Sequence, residues 1–418
     1  MHHCRTWTSR ATLALCLTAL AAPGCGSDPD PTSDTDAGMT GTTDGGSGGG
    51  DDGGTGGEDG GGTGGEDGGT TGEDGGTVPL SEWALRSHLC VGNRTDALHR
   101  DADGTLYVGC GSTTVGLGIY VSRDDGATWQ RPTTTPGGFF DTWRVLDVSR
   151  SADGLLYVAG TDTASSRRVV SADTSGASWS LDEVYNAGSV VGSSFIVGNF
   201  RRDSTGRAVA ESLNGVDVQA RASDDAPWVD VSEWGDEYGG LQILDLEVHE
   251  DRFFATGSTI SQPPYLFLPR SAPGFGFRVV NLAGTGIGAY RGEMWGVAVD
   301  GSGLVVAGVN QDRDVGMIYA LASADSTEVQ TFDLSTFYPD EATWIRGVCR
   351  SGEILLAVGE RTAESRGIVL RSDDNGGTWR DVTPEPTTLP PVHRCVMVGG
   401  DRAFVAGADG AFLEWNRR

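Results

Sequence analysis

The sequence predicts an all-β fold, a seven-bladed β-propeller that occupies residues 78–418. Three observations predict it: an eight-residue pattern that occurs twice, a repeat of roughly fifty residues, and short apolar runs separated by Gly and Asp turns. Four short strands in each repeat are typical of propeller blades. No stretch after Thr77 shows the apolar period of a helix, so we expect no helical layer.

The eight-residue pattern, S-x-D-x-G-x-T-W, is complete from Ser122 to Trp129 and from Ser372 to Trp379. Partial copies lie between them and begin at Ser171, Ser223, Ser271 and Ser323. Successive serines are 49, 52, 48, 52 and 49 residues apart. So regular a spacing indicates that every copy occupies the same place in a repeated unit.

A second marker runs in phase with the first, namely a tight turn followed by a short apolar strand. Its seven copies predict seven units, each with strands A, B, C and D, and with the eight-residue pattern at the turn between C and D. The turns are Asp103-Gly104, Asp153-Gly154, Thr205-Gly206, Glu250-Asp251, Ser302-Gly303, Ser351-Gly352 and Gly400-Asp401.

The seventh unit supplies only three strands, which we place at residues 392–398, 403–406 and 411–415. Residues 80–85 precede the first strand A and carry Trp83, like the Thr-Trp strands of other units. We therefore expect this N-terminal strand to complete the last blade, because pairing the two ends closes the ring and removes an exposed sheet edge.

The repeated pattern resembles the Asp box of the BNR, or sialidase-like, repeat family, and the resemblance covers nearly all of residues 78–418. It implies that the Asp ties down the C–D turn through backbone N–H groups and that the Trp packs into the blade. The family includes sialidases, but no Phe/Tyr-Arg-Ile-Pro motif occurs here. The resemblance implies structural roles for Ser122, Asp124, Gly126, Trp129, Asp173, Trp179, Ser372, Asp374, Gly376 and Trp379.

The first 24 residues form a predicted lipoprotein signal peptide. The apolar run at residues 11–22 is shorter than the roughly 20 residues that span a bilayer, but it fits an export signal. Ala22-Pro23-Gly24-Cys25 resembles a bacterial lipobox, which implies a lipidated Cys25. We expect export and lipid anchoring at the bacterial cell envelope, at the outer membrane or the cell surface; the alternative is ordinary secretion with an incidental cysteine.

Residues 25–77 form a predicted tether of Gly, Asp, Glu and Thr in which Gly-Gly-Glu-Asp-Gly-Gly recurs. Such a segment buries too little apolar surface to offset its ordering entropy, so we expect a disordered linker. A Gly-rich coil of this length has an end-to-end distance on the order of 40 Å.

The net charge of −28 limits the partners. Residues 26–77 hold thirteen acids and no base, and residues 1–24 hold two arginines, so −17 remains on residues 78–418. An acidic body argues against nucleic acid, which needs a basic surface. Asn310 to Asp314 begins like a calcium loop, but Val315 stands where glycine is needed. We expect no metal and no cofactor.

Four cysteines lie in the predicted propeller: Cys90, Cys110, Cys349 and Cys395. In an exported protein they are expected to be oxidised, and four cysteines allow three connectivities. Because Cys90 leads into the first strand A and Cys110 ends the neighbouring strand B, both should lie at one rim. This predicts a Cys90–Cys110 disulfide and leaves the pairing of Cys349 and Cys395 open.

The topology places the D–A and B–C loops on one face, here called the loop face, and the A–B and C–D turns on the other, the turn face. The loop face has the longer loops, and its aromatic and charged residues suit a peptide or a carbohydrate. The candidate ligand-binding residues are Phe140, Trp143, Tyr185, Trp234, Tyr238, Tyr290, Arg291, Trp295, Tyr338 and Trp344. An alternative is that Trp143, Trp295 and Trp344, at matching positions where strand A begins, simply pack between blades.

These features favour a monomeric, non-catalytic binding or assembly module for a protein or a glycan, and we assign no catalytic residue. The alternative is a surface glycoside hydrolase of sialidase-like architecture. It would need two carboxylates roughly 5 to 10 Å apart. The loop acids available for such a pair are Asp141, Glu237, Glu293 and Glu341.

Overall fold

The computed structural model describes most of residues 83–416, and the predicted signal peptide, Cys25 and the tether lie outside the described residues. No helix in this part is long and apolar enough to cross a membrane. The described ranges are 83–112, 116–132, 143–151, 153–162, 167–172, 179–181, 197–212, 218–227, 229–230, 241–259, 263–269, 277–284, 290–323, 325–326, 328–384 and 389–416.

The described chain is built from β-strands and three short 3-10 helices, at Leu282–Gly284, Leu334–Thr336 and Ala408–Gly410. The first strands are β1 Trp83–His88, β2 Arg94–Arg100, β3 Leu106–Gly111, β4 Gly116–Ser122, β5 Trp143–Arg150, β6 Leu156–Asp162, β7 Arg167–Ala172, β8 Trp179–Leu181, β9 Val197–Arg202, β10 Ala208–Ser212, β11 Val218–Arg221 and β12 Val229–Asp230. The others are β13 Leu241–His249, β14 Arg252–Thr259, β15 Tyr265–Pro269, β16 Phe277–Asn281, β17 Gly292–Asp300, β18 Gly303–Asn310, β19 Val315–Leu321, β20 Gln330–Asp333, β21 Thr343–Ser351, β22 Ile354–Arg361, β23 Arg366–Ser372, β24 Arg380–Asp381, β25 Val392–Met397, β26 Arg402–Gly407 and β27 Ala411–Asn416.

These strands form antiparallel sheets, one for each predicted unit, and the predicted all-β propeller fold is confirmed. Units 2 to 6 are β5–β8, β9–β12, β13–β16, β17–β20 and β21–β24, and unit 7 joins β25, β26 and β27 to β1. These six sheets are complete four-stranded blades, where the sequence predicted seven. Unit 1 has the three strands β2, β3 and β4.

The expectation of a fourth strand in unit 1 is wrong for the described residues. Only an isolated bridge joins Val121 of β4 to Gln130, where strand D was expected. Pro132 follows two residues later and has no N–H to donate to a ladder. The pairing therefore does not extend into a regular strand before the described segment ends.

The inner strands follow one another around a common axis. Strand A of each unit contacts strand A of the next, in the order β2, β5, β9, β13, β17, β21 and β25, and β25 contacts β2 in turn. Each sheet is therefore covered on both faces by its neighbours. Strands β3 and β18 are buried along their whole length as a result, which explains why strand B reads as an unbroken apolar run.

The two ends of the folded body meet in unit 7, as predicted. Strand β1 pairs antiparallel with β27, and Trp83 lies opposite Trp415. The described part of this strand begins at Trp83, and residues 80–82 lie outside the described residues. The Trp83 indole also donates to the carbonyl of Val382 in unit 6, at 2.6 Å, so the N-terminal strand contacts two units.

We call the junction of β1 and β27 the seam. Two disulfides lie in the units beside it. The predicted Cys90–Cys110 bond is confirmed, with the Cα atoms 5.6 Å apart. The second bond, between Cys349 and Cys395, settles the pairing that the sequence left open, with a Cα separation of 5.8 Å. It joins the inner strands of units 6 and 7, so covalent bonds reinforce units 1, 6 and 7.

Every strand A carries a β-bulge at the same place, with one residue that has no partner on strand B. An extra residue interrupts the ladder and turns backbone groups and side chains away from their own sheet. The bulge residues, from unit 1 to unit 7, are Asp96, Leu146, Gly198, Leu244, Trp295, Arg346 and His393.

The bulges correct the expectation that Trp143, Trp295 and Trp344 hold matching positions. Trp295 is itself the bulge residue of unit 5. Trp344 stands two residues before the bulge of unit 6, and Trp143 stands three before that of unit 2. The bulge sets the register of the inner strand, and the sequence pattern alone does not show where it falls.

In units 2 and 4 the residue after the bulge ties its unit to the next. The carboxylate of Asp147 accepts from the N–H of Phe200 at 2.9 Å, and that of Asp245 accepts from the N–H of Val297 at 2.8 Å. Units 5 and 6 have glycine at this position, and a Cβ on Gly296 would lie 3.0 Å from a backbone nitrogen of unit 6. Neighbouring inner strands are thus joined by side-chain bonds or by direct backbone approach.

A second belt of polar contacts joins the units on the turn face. Each interface between consecutive units has at least one, and most use an arginine or an aspartate, whose charged hydrogen bonds are the stronger kind. From the unit 1–2 interface around to unit 7–1 they are Arg150–Asp101, 2.5 Å; Arg202–Asp153, 2.7 Å; Ser204–Asp251, 2.6 Å; Arg252–Asp325, 2.9 Å; Gly352 N–Asp300, 2.8 Å; Arg371–Gly400 O, 3.3 Å; and Arg402–Asp125, 2.9 Å.

The seam can be tested at Gly410, which has φ +69° and where a Cβ would lie 2.4 Å from the nitrogen of Cys90. We expect Gly410→Ala to lower the free energy of unfolding by about 1–3 kcal/mol more than Gly399→Ala, because overpacking against backbone adds to the cost of positive φ. Gly399 is the matched control, with φ +65° and open space around its Cβ position. Equal losses in chemical denaturation would contradict a tightly packed seam.

Candidate functional site

The S-x-D-x-G-x-T-W turns are closed by their own side chains. The Ser122 hydroxyl donates to Asp124 at 2.8 Å and accepts from Gly126 N at 2.8 Å, while Asp124 also accepts from Thr128 N at 2.8 Å. Hydrogen bonds from Thr128 and Ser122 lower the pKa of Asp124 to about 2. The turn at Ser372, Asp374 and Gly376 repeats these bonds. Both carboxylate oxygens of Asp124 are thus bonded within the turn itself.

The two described tryptophans of these turns pack against the preceding unit. Trp129 meets Phe412 of unit 7 edge-on, with ring centroids 5.0 Å apart. Trp379 lies 6.0 Å from Phe332 of unit 5. Asp173 and the side chain of Trp179 lie outside the described residues. The geometry of the two complete turns is that of a structural element.

Five of the ten candidate ligand residues have described side chains: Tyr290, Arg291, Trp295, Tyr338 and Trp344. The other five fall on segments, or on a side chain, that the structure does not describe. They are Phe140, Tyr185, Trp234, Tyr238 and the side chain of Trp143.

The Tyr290 side chain is buried between blades and is not exposed on the loop face. Its side chain belongs to the core, with 7% exposure, and its hydroxyl is hydrogen-bonded to that of Tyr319. Burial raises the pKa of Tyr290, and it raises that of Tyr319 to about 12. The sequence placed Tyr290 in a loop before strand A, but an aromatic there can turn inward between blades.

Arg291 and Tyr338 lie near the surface but are already engaged. Arg291 is exposed and forms an ion pair with Asp312 at 2.7 Å. The Tyr338 hydroxyl donates to Asp381, and the Arg361 guanidinium stands 5.6 Å from the centre of the Tyr338 ring. Both residues belong to the polar surface. A ligand that binds there would have to displace their bonds to Asp312 and Asp381.

Trp295, Trp344 and Arg346 form a stack near the loop-face end of the channel. The Arg346 guanidinium lies 4.4 Å from both indole rings, and its charge is balanced by Glu360 at 2.7 Å. The Trp295 indole donates to Glu293 at 3.0 Å. Burial lowers the pKa of Arg346, and Glu360 opposes that effect. We call these three residues the Trp–Arg–Trp stack.

Beside the stack, the bulge residue His393 adds a buried histidine, and Arg94 and Arg144, each two residues before a bulge, add two arginines. Arg94 and Arg144 both contact Asp96, at 2.6 and 2.8 Å. His393 is 9% exposed, and burial lowers its pKa to about 3, so the imidazole is neutral at physiological pH. Within the described chain, Nδ1 of His393 and Nε1 of Trp344 have no hydrogen-bond partner.

A cavity of about 320 Å³ lies on the ring axis. Its lining comes from strand A of all seven units, and only from residues on the turn-face side of the bulges. The sequence alone did not predict it, because the candidate residues were those of the loops and strand starts. The signal was present as charged residues inside strands that are otherwise apolar: His99, Arg100, Asp147, Arg201, Asp245, Glu247, Arg350 and Arg394.

Most charges in the cavity are neutralised locally, but two are not. Arg201 pairs with Asp147 and approaches Glu247 at 3.5 Å. Asp245 accepts only backbone N–H groups, from Val297 at 2.8 Å and Leu246 at 3.0 Å. Burial raises the pKa of Asp245 to about 6, although Arg394 and Arg201 oppose that effect.

Arg394 is the cation left without a carboxylate. Its Nη1 donates to the carbonyls of Arg346 and His393, each at 3.2 Å. Among the residues that the structure describes, no carboxylate lies within ion-pair distance of it. The same part of the chain contains no group of three or more His, Cys, Asp or Glu residues that could hold a metal ion.

The comparisons with known proteins address the fold. No family model matches the sequence, and no curated protein matches it. The structure is similar to that of "YCF48 bound to D1 peptide", with 15% identity and a TM-score of 0.55 over 81% of this chain and 97% of that one. It is also similar to a virginiamycin B lyase from Staphylococcus aureus with quinupristin, with 11% identity and a TM-score of 0.54 over 80% and 98%.

The WD40 repeats of RRP9 match to a similar degree, with 11% identity and a TM-score of 0.54 over 81% of this chain and 98% of that one. At such identities the likeness concerns architecture alone. The class it defines, together with the sheets described above, is the β-propeller, a fold that hosts unrelated functions.

The buried carboxyl of Asp245 predicts a pH-dependent stability difference. The unfolded chain ionises it near pH 3.8 and the folded protein near pH 6, so ionisation costs stability as pH rises between these values. We expect Asp245→Asn to gain about 1–3 kcal/mol of unfolding free energy over the natural chain from about pH 4 to about pH 7. Denaturant titrations across this range measure it, and a constant difference would contradict the raised pKa.

Proposed function

We propose that the chain is an exported lipoprotein whose propeller is a non-catalytic binding or assembly module for a peptide segment or a glycan at the bacterial cell envelope. The observation that carries this proposal is the Trp–Arg–Trp stack at the loop-face end of the channel. Trp and Arg are the residue types most enriched at recognition surfaces, because each combines a large rigid area with directed hydrogen bonds.

The surroundings of the stack support binding. Arg94 and Arg144 stand beside it, and Nε1 of Trp344 within the stack has no partner, so these groups offer donors to carbonyl, hydroxyl or carboxylate oxygens. A buried donor without a partner costs free energy, and a ligand acceptor would recover that cost. The site therefore suits a ligand that presents hydrogen-bond acceptors better than one that presents donors.

Two structural neighbours are consistent with a binding role for such a ring. The YCF48 structure holds a D1 peptide, and the virginiamycin B lyase structure holds quinupristin. The second is an enzyme, so the fold alone does not distinguish binding from catalysis. For this chain, these neighbours support only the proposal that a propeller of this size offers a binding surface.

The described loop acids give no support to the glycoside hydrolase alternative. Glu293 accepts from the Trp295 indole, and Glu341 pairs with Arg361 at 3.2 Å. Both acids are thus engaged with neighbours, whereas a hydrolase needs two acids that face a shared substrate. Asp141 and Glu237 lie outside the described residues.

The proposal includes the Asp-box repeat family and a closed ring of seven blades. The closed S-x-D-x-G-x-T-W turns support the family, because their bonds are those that the resemblance implies. The contact between β25 and β2 supports closure, with the three-stranded sheet of unit 1 as the seventh blade.

The loop-face proposal is tested with Trp295→Ala on peptide and glycan arrays. We expect ligands bound by the natural chain to bind about tenfold more weakly or worse, because truncating a central aromatic of an interface costs more than 1 kcal/mol. Trp129→Ala, on the turn face, is the matched control and should retain binding. Circular dichroism establishes that both variants fold, and equal binding by both would rule out the stack as the contact site.

The anchor is tested separately. We expect the natural chain to fractionate with membranes and Cys25→Ser to become soluble, because the acyl chains supply the membrane affinity. Cys16→Ser is the control, since Cys16 lies within the apolar run of the signal and should leave anchoring intact. Detergent phase partitioning and the intact mass of the mature protein report the outcome; a membrane-bound Cys25→Ser chain contradicts lipidation at that residue.

A further inference from the structure

The axial cavity contains one carboxylate and one guanidinium that form no direct ion pair with a described side chain. Asp245 is bonded only to backbone N–H groups, and Arg394 only to backbone carbonyls. Both line the same cavity of about 320 Å³. A partly buried charge without a direct ion pair is costly, so each of the two groups would gain from a ligand group of opposite charge at contact distance.

The two residues stand on opposite sides of the channel. Asp245 is on strand A of unit 4 and Arg394 is on strand A of unit 7, three places further around the ring of inner strands. Each is the residue that follows the bulge of its strand, so both lie at the same level along the axis. A ligand at that level therefore meets a negative group on one side and a positive group on the other.

Between these two charges, on the side of units 5 to 7, the wall is mostly apolar, whereas units 1 to 3 contribute most of the other charged residues. Unit 5 contributes Val297 and Val299, unit 6 contributes Val348, and unit 7 contributes Val396 and Met397. Small-molecule sites combine such a wall with a few placed polar groups, and a volume near 300 Å³ is at the small end of their range. The cavity thus suits a compact ligand with an apolar side.

We propose that the axial cavity binds a free α-amino acid with an apolar side chain, its ammonium group at Asp245 and its carboxylate at Arg394. A ligand with only one charge would leave the other protein group unpaired. A neutral ligand would leave both unpaired. The zwitterion is the smallest common chemistry that satisfies both ends at once.

This site is distinct from the loop-face site. The cavity lining lies on the turn-face side of the bulges, whereas the Trp–Arg–Trp stack lies at the bulge of Trp295 and Arg346 and beyond it. The proposal does not depend on the nature of the loop-face ligand. Either site can fail its test without affecting the other.

Isothermal titration calorimetry of the full chain with three matched probes tests the zwitterion. L-Leucine carries both charges, L-leucinamide only the ammonium, and N-acetyl-L-leucine only the carboxylate. We expect L-leucine to bind and the other two to bind about tenfold more weakly or worse, because each loses one charged hydrogen-bonded contact. This comparison uses the natural chain, so it holds even where a variant fails to fold.

Two variants then assign the ends of the ligand. Asp245→Asn should weaken L-leucine about tenfold and bring it to the level of N-acetyl-L-leucine, and Arg394→Gln should bring it to the level of L-leucinamide. The matched controls are Asp340→Asn and Arg366→Gln, at an exposed turn and at a surface pair with Glu364. Both controls should bind L-leucine like the natural chain.

The calorimetric results either support the proposed site or overturn it. Preference for L-leucine over both derivatives, lost in the two cavity variants and kept in the two controls, supports the site. Absence of L-leucine binding, equal binding of all three probes, or unchanged L-leucine binding in both cavity variants overturns it.

Discussion

The structure depends on how neighbouring inner strands are joined without a shared β-ladder. The sheets lie face to face around an axis, so strand A of one unit cannot exchange regular backbone bonds with strand A of the next. A bulge in each inner strand frees groups for this purpose, and Asp147 and Asp245 accept backbone N–H bonds from the following unit. The turn-face belt of arginines and aspartates repeats the linkage at the other end of the strands.

The seam is where this constraint is most severe, because no peptide bond connects β27 to β1. Strand pairing of Trp83 with Trp415 closes unit 7, and the close approach of Gly410 to Cys90 leaves no room for a side chain. Disulfides then fix Cys90 to Cys110 and Cys349 to Cys395 in the adjoining units. Each disulfide also limits the conformations of the unfolded chain, which stabilises the folded state.

The same bulges divide the channel into two chemically different ends. On the loop-face side, the bulge residues Trp295 and Arg346 build an aromatic and cationic stack. On the turn-face side, the residues that follow the bulges place Asp245 and Arg394 across a small cavity. The bulges that allow neighbouring inner strands to join therefore also position the side chains that can meet a ligand.

The sequence by itself determined the repeat, the strand-rich fold, the pairing of the two ends and the Cys90–Cys110 bond, because these follow from local patterns that recur in register. It did not determine the site. Tyr290 reads as a loop aromatic but packs on Tyr319, and Asp245 and Arg394 are 149 positions apart in the chain yet share one cavity. Only the closing of the ring decides which inner-strand residues face the axis, because a bulge shifts side-chain direction in a way that periodicity does not encode.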